Sequence, residues 1–177
     1  QRVVALAEEM AERDVRRFGI GIENGLDWVI ADLAGMTCGT GIVPVPHYFS
    51  PGQVDFLLDS ANVDYLLSDT EPSPTPGLFR SSIKQISDTK ADKEPVKITF
   101  TSGSTGAPKG VVLRHDKLLT IARSIVQMME QLDISKHLCV LPLATLLENI
   151  AGVYAPLTKG IEICLPKGEE VGLSGSS

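Results

Sequence analysis

Short apolar runs alternate with stretches of helical periodicity along most of this chain, and this alternation restricts its fold more than any other feature. Val3, Val4, Leu6, Ala7, Met10 and Ala11 recur at three- and four-residue spacing, which predicts a helix over 2–17. The run Phe18–Ile22 closes at Asn24 and Gly25 and reads as a strand. Residues 26–37 are helical in period and apolar almost all round, so that helix is expected to be buried, with Gly39 and Gly41 as its stop. Ile42, Val43 and Val45 read as a strand interrupted by Pro44 and Pro46. Ser50–Pro51 reads as an N-cap with proline in the first turn of a helix that runs through Val54, Phe56, Leu57 and Leu58. Strands follow at Val63–Leu67, Ile98–Thr101, Val111–Leu113, Leu138–Leu141 and Ile161–Leu165, with helices at His115–Leu132 and Leu146–Leu157. Such alternation predicts an α/β fold with a largely parallel sheet flanked by helices, in which ligands sit beyond the carboxyl ends of strands. Pro72, Pro74 and Pro76 mark 69–82 as a surface loop, and 69–95 is a candidate subdomain linker. Gln1 enters in mid-helix and the chain fades into GEEVGLSGSS, so residues 1–177 are expected to be a partial domain of a longer protein.

Composition excludes several classes. The chain is 43% hydrophobic and 21% charged, as globular chains are. A net charge of −6 argues against a nucleic-acid partner, which calls for a basic face. No apolar run approaches the roughly 18 residues of a membrane span, and the N-terminal residues do not read as a signal peptide. Cys38, Cys139 and Cys164 are scattered among apolar neighbours and lack metal-ligand spacing. They read as buried free thiols, and no metal ligand is assigned. His47, His115 and His137 likewise lack a partnered spacing, and Trp28, Met36, Met128 and Met129 read as packing residues.

The stretch ITFTSGSTGAPKG, residues 98–110, joins two of the strands. Gly103 and Gly106 permit positive φ and close backbone approach, so that successive N–H groups can converge on an anion. Thr101, Ser102, Ser104 and Thr105 add hydroxyl donors, Pro108 fixes the chain direction, and Lys109 adds a cation suited to phosphate. On composition alone such a stretch is either a flexible loop or a polyphosphate cradle. It is not a Walker A loop, because Pro108 precedes the lysine and Gly110, rather than Ser or Thr, follows it.

The decade TSGSTGAPKG, Thr101 to Gly110, matches at every position the phosphate loop of the adenylate-forming (AMP-binding) superfamily, and the chain resembles that family over about 18–166. The blocks GIENGLDWVIADLAGMTCGTGIVPV, SPGQVDFLLDSANVDYLLSD and VVLRHDKLL are similar to the family's segments on either side of the loop. LPLATLLEN, residues 141–149, resembles the long-chain acyl-CoA synthetase branch. The resemblance implies ATP-dependent activation of a small carboxylic acid, a fatty acid in that branch, through an acyl-adenylate and then transfer to coenzyme A. It implies ATP with Mg2+, whose carboxylate ligand in the family lies downstream of these residues. It places the β- and γ-phosphates on Thr101, Ser102, Gly103, Ser104, Thr105, Gly106 and Lys109, with Thr105 and Lys109 as catalytic residues. Thr145 and Glu148 are candidate substrate-proximal residues. Thr145 stands where that branch carries a histidine or another aromatic-bearing motif. Glu148 also reads as a solvated first-turn carboxylate at a helix N-terminus. The family's downstream adenine and ribose motifs and its C-terminal domain lie outside the chain, so these residues alone are expected to be inactive. Competing implications are an adenylation domain that loads a carrier protein and a non-catalytic homologue that acts as a scaffold. A cytoplasmic setting is expected.

Overall fold

The computed structural model describes residues 1–68, 83–87, 92–101 and 108–166. The elements run α1 (Arg2–Glu12), β1 (Arg17–Gly21), α2 (Leu26–Cys38), β2 (Gly41–Pro44), α3 (Pro51–Ser60), β3 (Tyr65–Ser68), β4 (Ile83–Gln85), β5 (Val96–Thr101), β6 (Lys109–Arg114), α4 (His115–Met129) and β7 (Lys136–Leu138). A broken helical stretch follows, consisting of α5 (Leu146–Glu148), a π-helical segment (Asn149–Tyr154) and α6 (Ala155–Lys159), and then β8 (Glu162–Cys164).

Six strands form one sheet in the order β4-β3-β1-β2-β5-β6. Its four central strands are parallel, with Phe18 of β1 opposite Tyr65 of β3 and Ile42 of β2, and Ile42 opposite Lys97 of β5. β4 and β6 pair antiparallel at the two edges. β7 and β8 form a separate parallel pair. The expected α/β architecture with a largely parallel sheet is therefore the one found.

Both faces of the central strands are covered, as parallel sheets require. Phe18, Ile20, Ile42 and Leu67 pack with α1, α2, α4 and the π segment in one cluster. Val43, Val96, Ile98 and Phe100 pack with Leu57 of α3 in the other. The period-two alternation of β5 thus sends Val96, Ile98 and Phe100 towards α3 and Lys97 towards α2.

Left-handed residues stop the helices. Asp14 (φ 52°), Gly39 (φ 68°), Asn62 (φ 50°) and Gly160 (φ 74°) each follow a helix. The next amide reaches back to the last turn in every case: Val15 to Met10, Thr40 to Gly35, Val63 to Leu58 and Ile161 to Pro156, at 2.9–3.0 Å. Asp14 therefore ends α1 short of the periodicity that predicts a helix to residue 17. Asp64, buried, accepts the Arg16 and Arg17 amides at 2.9 and 2.8 Å and so starts β1 where the helical pattern would continue. At the start of α3, Gln53 Oε1 accepts the Ser50 amide at 2.9 Å, half of a capping box in front of Pro51.

Three further differences have physical causes. β7 begins at Lys136, earlier than the apolar run Leu138–Leu141. Its ladder with β8 ends at the Cys139 amide, 3.0 Å from the Cys164 carbonyl, and Val140 and Leu141 are exposed beyond it. The helix expected over 146–157 is interrupted by the π segment. β4 lies inside the candidate linker 69–95, where three residues carry too little periodicity to be read. Residues 69–82 and 88–91 of that linker lie outside the described residues. Met128 is exposed on α4 and does not pack, whereas Trp28 is core.

A Cβ at Gly35 of α2 would lie 2.7 Å from Ile42 Cγ1, so this glycine sets how closely α2 approaches β2. Gly35→Ala is expected to lower stability in urea unfolding by about 1–2 kcal/mol, because overpacking outweighs the better helix propensity of alanine. A variant as stable as wild type would show that α2 can shift off the sheet at no cost.

Candidate functional site

The carboxyl end of β5 carries the stretch singled out in the sequence. Thr101, its last residue, pairs directly with Lys109, the first residue of β6. Both are exposed. The antiparallel ladder β5–β6 thus holds the two ends of the 102–108 connection side by side, with a hydroxyl on one and a cation on the other. Ser102, Gly103, Ser104, Thr105 and Gly106 lie outside the described residues. Pro108 is buried where the chain re-enters the sheet. Gly110 has a packing reason, since a Cβ there would meet Phe100 Cζ at 3.0 Å and Ile98 Cγ2 at 3.1 Å. A side chain at that position would make Phe100 and Ile98 give by a few tenths of an ångström.

Behind this hairpin lies a buried polar network that the sequence reading missed. Lys97 and Asp32 have fully buried side chains, with Nζ 2.5 Å from Asp32 Oδ1. Lys97 also donates to Asn149 Oδ1 at 2.5 Å and to the Tyr154 hydroxyl at 2.6 Å. Asp32 Oδ2 accepts from Tyr154 at 2.6 Å and from Asn149 Nδ2 at 3.1 Å. The π segment makes this convergence possible. In an α-helix, residues five apart point about 140° away from one another, whereas the wider π turn brings Asn149 and Tyr154 onto one side. Burial lowers the Lys97 pKa, and Asp32 opposes that shift. Burial, then the Asp32 charge, pushes the Tyr154 hydroxyl well above its ordinary range. The only local sign of the network was a lysine in an otherwise apolar strand and an aspartate in an otherwise apolar helix.

His115, the first residue of α4, is buried beside this network. A cleft of about 280 Å3 opens there, lined by Leu33, Met36, Leu119, Tyr154 and Leu157 among others. Burial pushes the imidazole below its ordinary 6.5; a hydrogen bond with the Val96 backbone opposes that shift, Lys97 adds to it, and Asp32 and Asp116 oppose it.

Thr145 and Glu148 sit at the start of α5, apart in sequence from the hairpin. The Thr145 hydroxyl donates to the Pro142 carbonyl at 2.7 Å, so its donor is engaged locally. Glu148 is buried, which corrects its reading as a solvated first-turn carboxylate. It turns inward because Gly152, one turn on, leaves room for it: a Cβ at 152 would lie 2.8 Å from Glu148 Oε1 and 3.0 Å from Cys139 Sγ. The three cysteines are free, with Cys139 buried and Cys38 and Cys164 only partly so. No helix among the described residues is long and apolar enough to cross a membrane.

A family model described as AMP-binding enzyme matches residues 1–175. Nonribosomal peptide synthetase ecdA of Aspergillus rugulosus is 31% identical over 168 residues, covering 85% of this chain and 2% of that protein. Long-chain-fatty-acid–CoA ligase 6 of Mus musculus is 24% identical over 179 residues, covering 75% of this chain and 26% of the ligase. Among solved structures, O-succinylbenzoate coenzyme A synthetase (MenE) from Bacillus subtilis, in complex with ATP and magnesium ion, has the same fold at a TM-score of 0.70 and 19% identity. That match covers 92% of this chain and 48% of the MenE chain. The chain thus spans less than half the length of each of these proteins.

Lys97→Met strands the Asp32 carboxylate and is expected to cost about 3–5 kcal/mol in urea unfolding, whereas Lys97→Met/Asp32→Leu should recover at least half of that loss. A double variant no more stable than the single one would show that the two charges act separately. The folded state holds a proton on His115 less readily than the unfolded chain does. The stability this group contributes is therefore present above pH 6.5 and declines as the pH falls through that value. Urea unfolding between pH 7 and 5 should show a shallower decline in His115→Phe than in wild type, and equal slopes would refute the assignment.

Proposed function

The chain belongs to the AMP-binding enzyme family, and from that premise we propose that the full-length protein is an ATP-dependent ligase that activates a carboxylic acid as its adenylate and transfers the acyl group to coenzyme A. One observation carries the reading. The in-register pair Thr101–Lys109 anchors TSGSTGAPKG at the carboxyl end of a central parallel strand, where α/β sheets hold their ligands. An exposed cation and hydroxyl at that point fit a polyphosphate.

ATP with Mg2+ supplies an electrophilic phosphorus and a pyrophosphate leaving group. The chain's own task is to hold that leaving group and stabilise the charge it gains. Backbone and hydroxyl donors of Thr101, Ser102, Gly103, Ser104, Thr105 and Gly106 grip the β- and γ-phosphates. Lys109 adds positive charge and, with Thr105, acts on the departing pyrophosphate. Pairing within β5–β6 holds Lys109 beside Thr101, at the two ends of the loop. Magnesium finds no carboxylate pair on this hairpin. Among the described residues the one group of three possible ligands is His137, Cys139 and Glu148, on other elements.

The likeness to the mouse ligase supports a fatty acid substrate and coenzyme A as acceptor. The likeness to a nonribosomal peptide synthetase supports a second reading, in which the acceptor is a carrier protein. Three free thiols fit a reducing, cytoplasmic setting.

Carboxylate-dependent exchange of labelled pyrophosphate into ATP by the full-length protein tests the proposal. Lys109→Ala is expected to lower the exchange rate by roughly 10²-fold while leaving the unfolding midpoint unchanged. Addition of coenzyme A or of a carrier domain then distinguishes the acceptors. A wild-type protein silent towards a broad panel of acids would favour a binding or scaffold role instead.

A further inference from the structure

His137 and Cys139 lie two residues apart on β7 and its extension, and so face the same side of the strand. Glu148 reaches the same point from α5. One ligand atom from each of the three lies within 4.8 Å of the other two. Two of those side chains have a buried atom without a partner, His137 Nε2 and Glu148 Oε1. The Cys139 thiol donates to the Gly152 carbonyl at 3.2 Å and also faces the Glu148 carboxylate, whose Oε1 keeps no partner. Two buried groups of sulfur and oxygen type and a half-buried imidazole, with His137 Nε2 and Glu148 Oε1 unsatisfied, are an unfavourable arrangement unless something binds between them. Gly152 supplies the space, since a Cβ there would press on both Cys139 Sγ and Glu148 Oε1.

We propose that His137, Cys139 and Glu148 form a binding site for a divalent transition-metal ion of the zinc class, tying β7 to the start of α5. A thiolate with an imidazole selects zinc or cobalt over magnesium or calcium. Three protein ligands leave a fourth tetrahedral position for water. Metal–ligand bonds of about 2.0–2.3 Å place ligand atoms about 3.5 Å apart, so the side chains need to close in by about 1 Å. The ion replaces the thiol proton of Cys139, which is released to solvent, and the neutral imidazole coordinates through Nε2. Affinity therefore rises with pH. The site is independent of the phosphate loop and of the ligase reading.

The purified protein, stripped with chelator, is titrated with Zn2+ against a chromophoric competitor and separately with Co2+. Expected are one ion per chain and, with cobalt, the intense tetrahedral visible bands and a near-ultraviolet thiolate charge-transfer band. Zn2+ should also raise the unfolding midpoint. Cys139→Ser should abolish the charge-transfer band and the zinc-dependent stabilisation, and weaken zinc binding by at least the 10–100-fold typical of losing an outer-shell partner. Glu148→Gln should weaken binding while keeping the band. Absence of stoichiometric binding to wild type overturns the proposal, as does binding that Cys139→Ser leaves unchanged. Should Cys139→Ser fail to fold, His137→Ala decides the matter: weakened zinc binding upholds the site and unchanged binding overturns it.

Discussion

The ion pair between Lys97 and Asp32 is the constraint around which the described fold is arranged. Two opposite charges with no exposure to solvent are tolerable only at contact and with their remaining valences satisfied. Asn149 and Tyr154 supply those valences, so one interaction ties α2, β5 and the π segment together. A slip of one residue in β5 would send Lys97 into the cluster under α3, whose members are apolar and could not pair it. Correct placement of β5 is in turn what puts Thr101 at the carboxyl edge of the sheet.

The hairpin that carries the phosphate loop is therefore built on a rigid foundation. Its first strand is held from behind by the buried lysine and paired on one side with β2. Its second strand is held by a ladder of six residue pairs, from Val96–Arg114 to Thr101–Lys109. Gly110 lets the Phe100 ring lie under that ladder.

Much of the architecture was legible in the chain itself. The left-handed stop at Gly39, the Ser50–Pro51 helix start, and the amphipathic pattern of α4 all rest on neighbours within one turn. Two stops were less legible, because Asp14 and Asn62 adopt left-handed backbone without being glycine, and periodicity carried α1 too far. Glu148 was misread for a related reason. A carboxylate in a first turn is usually solvated, but here the missing side chain of Gly152 opens the space that draws it inward. The two strands that hold the ends of the loop were legible as apolar runs, whereas the buried network behind them left only two charged residues out of place in apolar segments.

By itself the sequence determined the alternation of strands and helices and the family resemblance through TSGSTGAPKG, because period, turn chemistry and a contiguous motif are local properties. Only the tertiary structure decided that Lys97 finds Asp32, that a π turn rather than an α-helix brings Asn149 and Tyr154 to meet them, and that His137, Cys139 and Glu148 converge. Those contacts join residues as far as 122 positions apart. Their partners are selected by sheet order and by the space left at Gly152, which no local pattern encodes.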